Sequence, residues 1–223
     1  MRQLILDIRP DSPPDFANYL AGPNAEAASA LQTMCGAARP FSGEHVIYLW
    51  GDAGVGKSHL LQAWSVRAQA PFYPAGQLPD QDMAMLAADN VDALGEADQI
   101  RLFTLLNAAR EAGGRVVAAG RLPPSQLGIR PDLATRLAQG LVFRIHPLPD
   151  AEKASAMSIR AEAHGMSLDP DLIRYMLIHC RRDLPHLLAT VDALDSLSVS
   201  RKRPVSLPLL KELLLESSQS SLS

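Results

Sequence analysis

The rhythm of apolar and polar positions changes near residue 148. Before it, short apolar runs alternate with helical spacing. Residues 45–50, HVIYLW, form an unbroken apolar run that stops at Gly51, the pattern of a strand buried on both faces. Residues 115–119 and 141–145 repeat it, residues 83–88 give a shorter run ending at Asp89, and Phe72-Tyr73 predicts a brief strand. Helical spacing covers 24–34, 57–69 and 96–112; Pro71 stops the second helix and Gly113-Gly114 closes the third. Strands alternating with helices predict an α/β fold whose parallel sheet is covered by helices on both faces.

After Pro147 the strand signals cease. Residues 150–164, 169–180 and 183–198 read as three helices, and a fourth over 206–215 follows Pro204. A boundary near Leu148 therefore separates an α/β domain, 15–148, from a small all-α domain, 149–223, with a frayed Ser-rich tail from Ser217. Pro10, Pro13 and Pro14 set residues 1–8 apart as a tethered peptide, giving a peptide and linker over 1–14.

Composition narrows the classes. Apolar residues make up 47% and charged residues 20%, which suits a globular chain. A formal charge of -3 provides no global basic field for nucleic acid, and the one basic run, Arg201-Lys202-Arg203, reads as a solvated loop. Cys35 and Cys180 lack metal spacing and read as buried thiols in a reducing compartment. No apolar stretch approaches the ~20 residues of a membrane span, so a cytoplasmic protein without a membrane partner is expected.

The sharpest chemical signal is Gly51-Asp52-Ala53-Gly54-Val55-Gly56-Lys57-Ser58, which fits G-x-x-x-x-G-K-[ST] at every fixed position. Glycines let backbone N–H groups turn inward around phosphate oxygens, and the helix that follows aims its positive end at the anion. Lys57 supplies charge to the β- and γ-phosphates, and the Ser58 hydroxyl ligates Mg²⁺. The expected cofactors are ADP or ATP with Mg²⁺. Asp89, at a strand end, is the candidate carboxylate for Mg²⁺ and water activation, with a helix cap or turn as its other reading. Its neighbour Asn90 is an amide, which cannot accept a proton from water at neutral pH.

With these residues in view, the chain resembles the AAA+ proteins related to the replication initiator DnaA, and among them the short Hda homologues. The resemblance spans nearly the whole chain. It implies an AAA+ P-loop domain followed by a helical lid. Asp15-Phe16-Ala17-Asn18-Tyr19, with Gly22 and Asn24, is similar to the family segment that leads into the nucleotide site, which counts Phe16 among the nucleotide-binding residues. Residues 103–107 and 120–124 are similar to the helix before the sensor strand and the turn after it. Residues 131–137, PDLATRL, look like the segment carrying the family's arginine finger, a role that falls to Arg136; read without the resemblance, Arg136 is a surface arginine on a helix. Gln3-Leu4-Ile5-Leu6-Asp7-Ile8 is similar to peptides that dock on the bacterial sliding clamp, with Gln3, Leu4, Leu6 and Ile8 as the contact residues; read by itself it is a plain N-terminal strand.

Three departures stand out. Ala118, Ala119 and Gly120 occupy the strand end where a polar sensor is expected, and Arg121 follows. Pro185 stands where the third lid helix should carry an arginine, with Arg181 and Arg182 off register. Together with Asn90 they predict a domain that binds nucleotide and hydrolyses it poorly. DnaA continues into a helix-turn-helix domain, whereas this sequence stops soon after the lid, so DNA contact is expected only through the clamp. The resemblance implies a regulator of replication initiation that stimulates ATP hydrolysis by DnaA, with a homodimer possible. An autonomous P-loop ATPase, such as a helicase- or clamp-loader subunit, is the alternative, and an adaptor using nucleotide as structural glue is a third.

Overall fold

A computed structural model, describing residues 13–35 and 45–220, shows how the apolar runs are used. Five strands, β1 (Val46–Trp50), β2 (Phe72–Tyr73), β3 (Met85–Ala88), β4 (Arg115–Gly120) and β5 (Leu141–Arg144), form one sheet in the order β2-β3-β4-β1-β5. Every pairing is parallel. Successive side chains leave a strand on opposite faces, and both faces are covered. Ile47, Leu49, Ala87, Val117 and Ala119 join one core with helices α1 (Ala25–Met34) and α2 (Lys57–Ala68). Val46, Tyr48, Leu86, Val116 and Ala118 join the other with α3 (Glu96–Glu111) and α4 (Pro131–Ala138). The α/β expectation holds. The edge strand β5 is buried on one face only, and the guanidinium of Arg144 lies 5.1 Å from the Trp50 ring centre.

This topology positions a loop. β1 sits between β4 and β5, and the chain leaves its carboxyl end into residues 51–56 before entering α2. Open parallel sheets bind ligands beyond the carboxyl ends of their strands. Leu60, Leu61 and Trp64 fix α2 against the sheet, each fully buried and each contributing about 1.5–3 kcal/mol.

Contacts divide the described residues into two units, with Pro14–Pro147 as one and the residues from Leu148 onward in the other. The second unit is all-α: α5 (Asp150–Ala163), α6 (Pro170–His179), α7 (Leu184–Arg201) and α8 (Leu207–Ser220). Its own core contains Met157, Leu172, Met176, Leu187, Leu194 and Leu210. Asp169 caps α6 by accepting from the Asp171 N–H, and Asp183 caps α7 by accepting from the His186 N–H.

Two expectations are corrected here. Residue 201 is not loop: α7 runs on to Arg201, Lys202 turns left-handed at φ 51, and Arg201 and Arg203 pair with Glu216 and Glu212 of α8 at 2.7 and 2.9 Å. The expected frayed tail from Ser217 continues α8 to Ser220, because buried Leu209, Leu210 and Leu214 nucleate a helix that serines then extend. The peptide Gln3–Ile8 lies outside the described residues. No described helix is long and apolar enough to cross a membrane.

Candidate functional site

Between β1 and α2 the loop residues Gly51, Gly54 and Gly56 have φ of 148, 77 and 102°, backbone that side-chain-bearing residues rarely adopt. Gly56 is doubly required, since a Cβ there would stand 3.1 Å from the Tyr19 ring. Asp52, Ala53 and Gly54 are exposed, Val55 is half-buried, and Ser58 presents its side chain to solvent in the first turn of α2. Lys57 is buried, its Nζ donating to the carbonyls of Gly51 and Asp52 at 2.7 Å each. The loop is thus closed on its own lysine, with a helix N-terminus behind it, an arrangement suited to an anion.

Four charges surround that lysine. Burial pushes the Lys57 pKa down; Asp89, Asp92 and Asp52 draw it up, while Arg121 opposes them. Asp89 is buried at the end of β3 and accepts from the Asn90 N–H at 2.8 Å. Asn90 is exposed and left-handed at φ 50, heading a 3-10 turn over Val91–Ala93. One Asp89 oxygen shapes the turn, and its carboxylate lies within the electrostatic neighbourhood of Lys57.

The N-terminal segment packs onto the same loop. Asp15 caps a 3-10 turn, Phe16–Asn18, and its carbonyl accepts from Nε2 of His59 at 3.0 Å. The His59 ring lies 5.4 Å from that of Tyr19, and burial holds its pKa below the usual histidine value. Phe16 and Tyr19 are half-buried against the α1–α2 core. Asn24 ties the segment to the residue after Ile145: its Nδ2 donates to the His146 carbonyl at 2.9 Å and its Oδ1 accepts from the His146 N–H at 2.8 Å.

Arg136 occupies the outward side of α4. Leu133 and Leu137 face the core and are fully buried, while Arg136 is half-exposed. Its Nη1 donates to Gln139 Oε1 at 2.8 Å, and its guanidinium carbon stands 5.8 Å from the Phe103 ring centre. Phe103, Pro131, Asp132, Thr135, Arg136 and Gln139 line a shallow groove of about 350 Å³. The neighbouring Arg130 and Asp132 form a forked ion pair at 3.2 and 2.8 Å.

Residues 150–214 match the family model described as the Hda lid domain. Among solved structures, the chain is similar to domain III of the Thermotoga maritima replication initiation protein DnaA, at 21% identity and TM-score 0.70 over 91% of this chain and 95% of that one. AMPPCP-bound DnaA from Aquifex aeolicus matches at 19% identity and TM-score 0.66, over 83% of this chain and 65% of that one. A Thermotoga maritima RuvB matches at 14% identity and TM-score 0.62, over 93% and 73%. The chain has the fold of these DnaA and RuvB structures, and its residues 150–214 are similar to the Hda lid domain.

The candidate residues fall into two groups. The loop 51–58, Asp89 and the Phe16 segment lie at one end of the sheet, whereas the contacts of Arg136 are with Gln139 and Phe103. Within the segment similar to the Hda lid domain, Pro185 stands in the first turn of α7. The arginines before it are engaged locally, Arg181 with Asp183 at 3.2 Å and Arg182 with Asp150 at 2.5 Å. Sequence reasoning missed His59 and Asp92 as neighbours of the phosphate loop. His59 follows Ser58 directly and could have been found by its place on the first turn of α2; Asp92 had no signal, since only the folded sheet brings it to Lys57.

Proposed function

We propose that this chain is a nucleotide-binding regulator of replication initiation that stimulates ATP hydrolysis by DnaA. ADP or ATP would be held by Gly51, Asp52, Ala53, Gly54, Val55, Gly56, Lys57 and Ser58, with Phe16 at its side and Mg²⁺ on Ser58 and Asp89. The residues fit such a ligand: the loop has left-handed glycines, a buried ammonium and an exposed hydroxyl at a helix N-terminus. A bound nucleotide with Mg²⁺ supplies the phosphoryl group for any hydrolysis or, as ADP, an ordered site. In this chain Lys57 orients the phosphates and Asp89 anchors the turn beside them.

The chemistry proper would occur in the partner's site. The clamp peptide, Gln3 to Ile8, tethers the chain to the DNA sliding clamp, and Arg136 is offered in trans to the γ-phosphate oxygens of ATP on DnaA. The observation that carries this reading is a segment similar to the Hda lid in the same chain as an α4 whose arginine stands on an open groove, held there by the Gln139 amide and the Phe103 ring. A guanidinium in that role is worth about 10³–10⁵ in rate, and lysine cannot copy its fork.

The test is DnaA-bound ATP hydrolysis on clamp-loaded DNA with wild-type protein, Arg136→Ala and Arg136→Lys. Stimulation should be lost with alanine and largely lost with lysine, while nucleotide and clamp binding persist. Full stimulation by Arg136→Ala removes the finger. Turnover by the isolated chain at the same rate as the mixture points instead to an autonomous P-loop ATPase.

A further inference from the structure

The chain ahead of the phosphate loop folds back onto it. Asp15 opens the 3-10 turn Phe16–Asn18 by accepting from the Ala17 N–H, and none of the three turn residues is buried. So short a turn is marginal by itself and depends on anchors from outside. Its far side is tied down by Asn24, whose amide bonds both the N–H and the carbonyl of His146. Its near end rests on His59, in the first turn of α2.

His59 Nε2 stands 3.0 Å from the Asp15 carbonyl oxygen, which can only accept, so the imidazole carries a proton on Nε2. Burial holds this ring below the usual histidine pKa, and a neutral ring with that one N–H is all the bond requires. The ring lies 5.4 Å from that of Tyr19. Tyr19 in turn closes on the loop, its ring 3.1 Å from where a Cβ of Gly56 would stand. Phe16, Tyr19 and the loop residue Val55 pack on one core, and each is half-buried, which leaves apolar surface beside the loop.

We propose that His59 is a positioning residue that holds segment 15–19 against the phosphate loop, so that the affinity the site gains from the ribose and base of a nucleotide depends on the His59–Asp15 bond. This rests on the reading that the 51–58 loop binds nucleotide. Loop N–H groups, Lys57 and the helix N-terminus serve the phosphates whether or not residues 15–19 are in place. The ribose and base lie outside the loop and gain only from what flanks it. An unlatched flank has to be ordered as the ligand binds, which weakens affinity, whereas a latched one is ordered beforehand.

The experiment titrates nucleotide-free full-length protein with Mg²⁺-ADP by calorimetry and measures Mg²⁺-pyrophosphate by its displacement of ADP, with melting curves as the fold check. Wild type is compared with four variants. His59→Leu loses the donor, His59→Phe keeps a ring against Tyr19, His59→Gln keeps an N–H at similar reach, and Lys57→Ala disables the loop. ADP should weaken about three- to tenfold in His59→Leu and His59→Phe and pyrophosphate less than about twofold, with most of the loss recovered in His59→Gln. Amide exchange should quicken over residues 15–20 in nucleotide-free His59→Leu and stay unchanged over residues 60–68. Equal weakening of the two ligands, or unchanged exchange over residues 15–20, overturns the assignment. Loss of ADP in Lys57→Ala alongside an inert His59→Leu overturns His59 and keeps the loop; wild-type protein that binds no ADP overturns both.

Discussion

At the scale of single residues, Lys57, His59 and His186 make the predictions. Lys57→Ala should abolish retention of ADP, read by extracting nucleotide from denatured protein. A ligand at 100 times its Kd stabilises by about 2.7 kcal/mol, so the variant should also melt about 5–10 °C lower. Unchanged nucleotide content would remove the loop from the site. His186 makes the pH prediction. It is buried in the first turn of α7, near Asp183 and Arg181, its Nε2 is without a partner among the described residues, and burial lowers its pKa. His59 is lowered for the same reason. A folded pKa below the unfolded value of about 6.5 means that the unfolded chain binds more protons; this stability is complete above about pH 6.5 and falls as pH drops toward the folded pKa. Melting temperatures should decline from about pH 7.5 to about pH 5.5, less steeply in His186→Leu and least in His59→Gln/His186→Leu. Parallel slopes in all three would show that other groups carry the dependence. The phosphate loop was legible at this scale because its chemistry is contiguous in sequence. Asp92 and Tyr48 were not, because pairing between strands far apart in sequence, with Trp50 against Gly120, brings them to one place.

At the scale of elements, α4 shows how one short helix serves two purposes. Leu133 and Leu137 share a face with no exposure, and Arg136, one residue away from Leu137, turns to the groove. Leu137→Ala should cost about 2–5 kcal/mol, whereas Arg136→Ala should stay within about 0.5 kcal/mol, as surface changes do. Denaturant unfolding measures both, and a large loss for Arg136→Ala would mark the arginine as part of the fold. The strands were legible because apolar runs bounded by Gly51 and by Gly113-Gly114 leave little choice of ends. Helix ends were less so. α7 passed its expected stop and α8 continued through serines, since tertiary burial of Leu194, Leu209 and Leu214 outweighs the weak propensities of the terminal residues.

At the scale of the whole molecule, the change of rhythm at residue 148 announced two units, yet the proposed activity needs a third part, the peptide ahead of them. Gln3, Leu4, Leu6 and Ile8 would bind as an extended peptide, with alternate apolar side chains filling a groove and the glutamine amide fixing register. Pro10, Pro13 and Pro14 follow and set the peptide apart from the folded units along the sequence. Such a tether contributes effective concentration, which raises occupancy of the partner by about 10²–10⁴ without a new contact at the catalytic interface. Replacing Gln3, Leu4 and Leu6 by alanine should therefore eliminate clamp binding in calorimetric titration while ADP binding and melting temperature stay at wild-type values. The same variant should lose stimulation of DnaA at low protein concentration and regain it as concentration rises, because Arg136 is intact and only encounter has been slowed. Arg136→Ala should show no such recovery. Clamp affinity that survives the triple change would move the docking site elsewhere in the chain, and failure to recover at high concentration would mean that the peptide does more than tether.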